Sequence, residues 1–289
     1  MFTLQVTGRN RIRDVIENVK AQVSKLFHIS TQAMSRSSLS RINNDQPWEL
    51  YQALFYKILA RCQPISVKHS FRFHNKLYSM DASTIDVCLN VFPWAKFRQT
   101  KGTVKLHVVL DHDGLLPTFI DITEGKTHEV NIGRGIKLPK GSILTMGRGY
   151  IDYEWFKELT DQGVFFVTRA KKMRSRIEIR NKVNKKSGVS SDHSIALTSK
   201  KDQAHQGLLR KIGYRDPITN KQYYFLTNNF KLAAKIIADI YKNRWQIELF
   251  FKWIKQNLKI KSFIGTTDNA VMSQIWVALC TYFLIHYFK

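Results

Sequence analysis

From the start of the chain to about residue 66, apolar positions recur every three or four residues, the helical period. "NRIRDVIENVKAQVSKLF" is amphipathic, and "SSLSRINNDQPWELYQALFYKILARC" supplies two further helices either side of Pro47. From about residue 70 the period changes to two. "KLYSMDASTIDVCL", "TVKLHVVL" and "LPTFIDIT" read as strands, the last two joined by the turn "DHDG", which makes an antiparallel meander. The apolar run "SILTM", the helix "DYEWFKELTDQG" ended by Gly163, and the run "VFFVTRA" then read as a right-handed parallel crossover. Residues 172 to 229 return to strand patterns with strong basic charge, a β-rich insertion before a final helical region. The pattern predicts an α/β protein with a mixed sheet flanked by helices.

The last region carries the chemistry. "YKNRWQIELFFKWIKQNLKI", residues 241 to 260, has neither Pro nor Gly and reads as one long helix. At about 100° per residue, Tyr241, Arg244, Glu248, Lys252 and Lys255 share one face. Trp245, Leu249, Phe250, Trp253, Ile254 and Leu258 make the rest bulky and apolar, which predicts a well-buried helix. Glu248 is the single acid on that basic face. It reads either as an i,i+4 partner of Arg244 and Lys252, stabilising the helix by roughly 0.2–0.5 kcal/mol per pair, or as an acid held for chemistry.

Charge narrows the partners. Lys and Arg total 46 against 22 Asp and Glu, a formal net charge of +24. Such an excess opposes compaction by self-repulsion and suits a polyanion, with nucleic acid the leading candidate. The basic run at 169 to 186 reads as a solvated loop or as a DNA-contacting surface, the net charge favouring the second. "VSKLFHISTQAMSRSSLSRINN" reads equally as a helix-turn-helix or as an ordinary helical hairpin. "AVMSQIWVALCTYFLIHYF" has nearly the length of a membrane span, but Ser273, Gln274, Thr281 and His286 favour a buried core helix. The early charges in "MFTLQVTGRNRIRDVI" do not fit a cleavable signal peptide, so a cytoplasmic location is expected. Cys62, Cys88 and Cys280 form no CxxC pair, and the nine histidines show no paired zinc spacing.

Cleaving a phosphodiester requires an activated hydroxyl and relief of charge on the leaving oxygen, work suited to divalent ions on hard oxygen ligands. The acids must converge from distant sequence. Asp81 sits inside a strand pattern, where a charge needs a ligand or partner unless it faces solvent. Asp86, Asp111 and Asp113 are weaker candidates, the last two being explained by their turn.

The spacing of Tyr241, Arg244, Glu248 and Lys255 resembles the helix signature of the DDE transposases of bacterial insertion sequences, in the insertion-sequence-four family. "MDAST" resembles that family's first Asp motif, and "RGYIDYEWFKELTDQGVFFVTRAK" its second block. The resemblance runs from about residue 8 to the end. It implies a ribonuclease H-like catalytic core that uses an Asp, Asp, Glu triad and Mg²⁺, or Mn²⁺, to cut transposon ends and join them to target DNA. It further implies that Asp81 and Glu248 are catalytic metal ligands, and that Tyr241, Arg244, Lys252, Lys255 and Arg148 contact DNA. The expected partners are double-stranded DNA, as terminal inverted repeats and target, and a second copy of the chain on that DNA. No membrane partner is expected, and the location would be the bacterial cytoplasm, associated with the nucleoid.

One position departs from the family. The second acid should follow an apolar strand directly and precede Arg-Gly-Tyr, yet in "ILTMGRGY" that position is Gly147. Gly has no side chain to ligate a metal, so this copy is expected to be impaired or inactive. Asp152, five residues on, reads as a helix N-cap rather than a replacement. "GRG" between a strand and a helix is only a weak phosphate-cradle signal. The expected organisation is a helical DNA-binding region at 1–66, the first part of the core at 67–171, the β-rich insertion at 172–229 and the helical end of the core at 230–289. By the resemblance, family members carry further sequence at both ends, so a truncated copy is expected. The alternative expectation is a non-catalytic DNA-binding remnant that occupies transposon ends, and a weaker one is a host nuclease of the same fold.

Overall fold

The computed structural model describes residues 5, 11–26, 28, 32, 34–87, 96–98, 101–125, 127–199, 207–258, 263, 265 and 267–287. Cys88 and the side chain of Asp86 lie outside the described residues.

Strand β1, Leu77–Val87, is the axis of the fold. It pairs antiparallel with β3, Lys101–Asp111, which pairs antiparallel with β4, Leu116–Glu124, across the "DHDG" turn. Gly114 and Leu115 close that turn with positive φ. Pro117 has no N–H to donate, and the β3–β4 ladder shifts register at Val109/Leu110, where Leu110 faces Pro117. A short β2, Lys96–Arg98, also pairs with β3.

On its other side β1 runs parallel to β5, Ile143–Met146, and β5 runs parallel to β6, Phe165–Arg169. The crossover between β5 and β6 holds a 3-10 turn, Arg148–Tyr150, and a helix, Tyr153–Asp161. Asp152 caps that helix, accepting the Trp155 N–H at 2.8 Å. Gly163, with φ of 72°, reverses the chain after it.

The basic stretch forms four antiparallel strands: β7, Ser175–Arg180; β8, Val189–Leu197; β9, Leu209–Arg215; and β10, Gln222–Thr227. They extend the central sheet, because β10 pairs antiparallel with β6. The result is one ten-stranded sheet in the order β2-β3-β1-β5-β6-β10-β9-β8-β7, with β4 on β3.

Helices in chain order are α1, Ile12–Lys20; α2, Val23–Leu26; α3, Arg36–Asp45; α4, Glu49–Cys62; α5, Glu129–Arg134; α6, Tyr153–Asp161; α7, Ala234–Asn243; α8, Trp245–Asn257; and α9, Asp268–Tyr287. The alternation in β1 sorts them. Tyr78 and Met80 join Trp155, Phe156 and Leu159 of α6 on one face of the sheet. Leu77 packs with α7, and Ile85 with α4, α8 and α9, on the opposite face.

Helix α9 is apolar and long enough to cross a membrane by length and composition, but most of it is buried in protein. Its Trp276 stacks on Trp48 and meets Phe55 of α4 edge-on, which makes it a core helix as its polar residues suggested. The N-terminal stretch is helical as read. Ser35 caps α3 by accepting the Ser38 N–H, and α3 is largely exposed, Arg36 and Arg41 included. The polar turn expected before α3 falls largely outside the described residues.

Candidate active site

Asp81 lies at the middle of β1, opposite Val108 of β3, on the face that receives α8. The single long helix expected at 241–260 is instead two. The chain leaves α7 at Asn243 and re-enters α8 at Trp245, with Arg244 between them. Here the Arg244 N–H bonds the Tyr241 carbonyl and the Ile247 N–H bonds the Arg244 carbonyl, each three residues back. A tightened turn of this kind re-aims the helix without a Pro or Gly to announce it.

The buried face of α8 also differs from the expected one. Trp245 is 58% and Leu249 41% exposed, whereas Ile247 and Phe251 are buried beside Phe250 and Ile254.

Arg244 is the centre of the site. One guanidinium nitrogen, Nη1, donates to Asp81 Oδ2 at 2.6 Å, and Nη2 donates to Glu248 Oε1. Of the two i,i+4 partners expected for Glu248 the ion pair is with Arg244, and Lys252 is exposed. The Arg244 side chain is only 15% exposed, and its Nε is buried with no hydrogen-bond partner among the described residues. Burial works against its charge, but Asp81, Tyr241 and Glu248 outweigh burial and hold its pKa above the ordinary arginine value.

Burial raises the pKa of Asp81, against the lowering effect of Arg244 and of the Ala82 N–H that bonds Oδ1 at 2.9 Å; Glu248 adds to the rise. An acid so placed holds its charge less readily than a solvated one and gains from any further cation.

Gly147 follows β5 and lies beside Asp81. A Cβ built there would lie 3.8 Å from Asp81 Oδ1, with no other heavy atom within 4 Å beyond its chain neighbours. The position is open and directed at Asp81. Asp152 is committed elsewhere, to its cap and to Arg134 at 3.0 Å. Among the described residues, no group of three or more His, Cys, Asp or Glu side chains could hold a metal ion.

The other residues singled out by sequence are dispersed around this centre. Lys255 reaches back to β1, donating to the Thr84 carbonyl at 2.8 Å. Arg148 is exposed on the 3-10 turn after Gly147. Tyr241 stacks obliquely on Phe225, with the Arg244 guanidinium carbon 5.5 Å from its ring centre. It lines a groove of about 630 Å³ walled by Phe71, Tyr214, Tyr223, Phe225 and Trp245. Sequence reading missed this groove because its walls come from four separate elements; the aromatic alternation in "KQYYFLT" was the one available signal. Tyr150 of the "RGY" turn is fully buried, and its hydroxyl has no partner among the described residues.

Asp111 and Asp113, read from sequence as explained by their turn, are buried. Lys76 Nζ bridges them at 2.9 and 2.6 Å, and Asp113 also accepts the His69 N–H. They sit at the N-terminal end of β1, away from Asp81, and have a structural explanation.

The chain is similar to several known proteins. The family model described as a transposase DDE domain matches residues 73–284. A Sinorhizobium fredii protein that carries the transposase name y4zB is 38% identical over 201 residues, 66% of this chain and 55% of that one. The "Probable transposase for insertion sequence element IS5377" of Geobacillus stearothermophilus is 30% identical over 267 residues, 90% of this chain and 67% of that one. This chain thus spans between about half and two thirds of the length of these relatives. Among solved structures, a piggyBac transposase in a synaptic complex with hairpin DNA superposes over 99% of this chain and 63% of its own, with a TM-score of 0.50 and 10% identity. That likeness is one of fold, and identifies the mixed sheet with its flanking helices as ribonuclease H-like.

Proposed function

We propose that this chain, which belongs to the DDE transposase family, acts on the ends of a bacterial insertion sequence of the insertion-sequence-four type, and that its own strand cleavage is impaired. The reading rests on one observation. Asp81 and Glu248 meet around Arg244, and beside Asp81 stands Gly147, where a third carboxylate would point at Asp81. Members of this family generally use divalent metal ions, and Mg²⁺ is the ion this reading assigns. The donor set here does not fit a pair of such ions. Two carboxylates remain, both engaged by a guanidinium, and one side of the centre offers no oxygen from a side chain.

Recognition of DNA asks less of the site than cleavage does. Exposed Arg148 and Lys252 stand ready for phosphates, and the net charge of +24 favours a polyanion over its length. The aromatic groove beside Tyr241 offers flat faces on which a base can stack. Bringing two transposon ends together calls for two copies of the chain on DNA. The cytoplasm of a bacterium, at the nucleoid, is where such a protein meets its substrate.

The second reading, a non-catalytic protein that occupies transposon ends and obstructs an active relative, is favoured by Gly147 itself. A cleavage assay on a plasmid bearing the element's ends, with Mg²⁺ or Mn²⁺, separates the two. The Gly147→Asp chain is expected to cut where the natural chain does not, and a Gly147→Ala control is expected to remain silent. Equal cutting by all three would show that residue 147 is not the position of the second acid. End binding by all three without cutting by any would favour the non-catalytic reading.

A further inference from the structure

We infer that Arg244 is the resident counter-cation of the acid pair, occupying by charge the place that a divalent ion would otherwise take; the inference rests on the reading of Asp81 and Glu248 as the surviving acids. An arginine that merely stabilised a helix would pair with Glu248 four residues on and stay at the surface. Arg244 does more. It reaches Asp81, 163 residues away in sequence, and its planar fork gives one nitrogen to each acid. The two carboxylates come from different elements, and the guanidinium is the group that joins them.

Charge and access follow from this placement. Two carboxylates and one guanidinium leave a single net negative charge in a largely desolvated centre. An approaching dication meets one fewer anion than a three-acid site offers, and a fixed positive charge already there. A charge of like sign within about 4–6 Å shifts an ionic equilibrium by roughly one to three powers of ten. The open side of the centre is at Gly147, where a carboxylate would restore the balance. Among the described residues, no acidic side chain fills that gap.

The same contact has a second consequence. Arg244 cannot grip a phosphate with the two nitrogens that hold Asp81 and Glu248, so one side chain both screens the acids and is withdrawn from DNA. Its tightened backbone, with hydrogen bonds three residues back at 244 and 247, fixes the start of α8 and holds the fork against β1. Arg244 therefore has two uses that exclude each other, and in this chain the acids keep it.

Metal binding without DNA tests this. Mn²⁺ is titrated into the full chain and free Mn²⁺ is followed by electron paramagnetic resonance, with circular dichroism to check folding. The Arg244→Gln chain is expected to bind Mn²⁺ at least about tenfold more tightly than the natural chain, because a like charge leaves the centre. Unchanged or weaker binding overturns the inference. Should the glutamine chain not fold, Arg244→Met decides, since it keeps the length of the side chain and removes its charge. Tightening of about tenfold supports the inference and unchanged affinity overturns it. The outcome is separable from that of the proposed function. Rescue of cleavage by Gly147→Asp with no effect of Arg244→Gln on Mn²⁺ would sink the counter-cation alone. Tighter Mn²⁺ binding without any rescue would support the counter-cation and leave the triad reading to fall.

Discussion

Gly147 has φ of −70° and ψ of 168°, an extended backbone that any residue adopts, so the fold asks for no glycine there. Under the proposed function its effect is chemical, the lack of a ligating oxygen, and the Gly147→Asp test is accordingly one of activity and not of folding. His112 presents the opposite case. Burial, with the nearby His69, pushes its pKa down to about 4 against the raising effect of Asp113, and its ring bonds Ser79 Oγ at 2.5 Å. The unfolded chain protonates this ring near the ordinary value of about 6.5, so between there and about 4 the unfolded state binds the extra proton. Stability present above that range is lost as pH falls through it, by about 2 kcal/mol at about pH 5. Melting curves at pH 7 and 5 should show a smaller drop for His112→Gln than for the natural chain, and an identical drop would refute the assignment. His107, also pushed to about 4 by burial, supplies a similar slope in both chains, which is why the difference is the quantity to read.

Among the elements, the strands and helices were legible where one period dominated a segment. β1, β3, β4, β5, α6 and β6 all fall on the predicted runs, because alternation and turn residues are local properties. What depended on distant partners was not legible. No residue in "YKNRWQIE" marks the break at Arg244, where the side chain bonds a carboxylate on β1. The pairing of β10 with β6, which makes the basic strands part of the central sheet, has no sequence signature either. Asp111 and Asp113 looked sufficient as turn residues, and only Lys76, packed against both, shows them as an internal ion cluster. Of the candidate site, Asp81, Arg244, Glu248 and Gly147 could all be named from sequence, and so could the pairing of Arg244 with Glu248, but the bond from Arg244 to Asp81 could not. Asn269, at the start of α9, was passed over entirely. It accepts the Trp48 N–H at 3.1 Å and donates to the Asn44 and Gln46 carbonyls at 3.0 and 2.7 Å, tying down the turn between α3 and α4. Asn269→Ala should cost about 1–3 kcal/mol in urea unfolding. It should also open residues 43–48 to protease, and unchanged proteolysis would show that the turn holds itself.

At the scale of the whole molecule, a charge of +24 must be offset by a polyanion or by salt. Affinity for DNA should therefore fall steeply with ionic strength, by about 10³-fold or more between about 50 and 200 mM salt if 6–10 phosphates are engaged. A flat salt profile in a filter-binding or anisotropy titration would contradict phosphate-led binding. The helices impose a different constraint. Phe55 of α4 is buried against Trp276 and Phe283 of α9, and Trp48 is bonded to a residue 221 positions further on. On the ribosome, α4 is made early while its packing partner is made more than 200 residues later. Until α9 emerges, the apolar side of α4 lacks a large part of its native cover and is a surface for chaperones or for premature aggregation. Completion of the packing around α4 thus waits on a helix more than 200 residues downstream, so synthesis and burial are separated in time although their partners are adjacent in space.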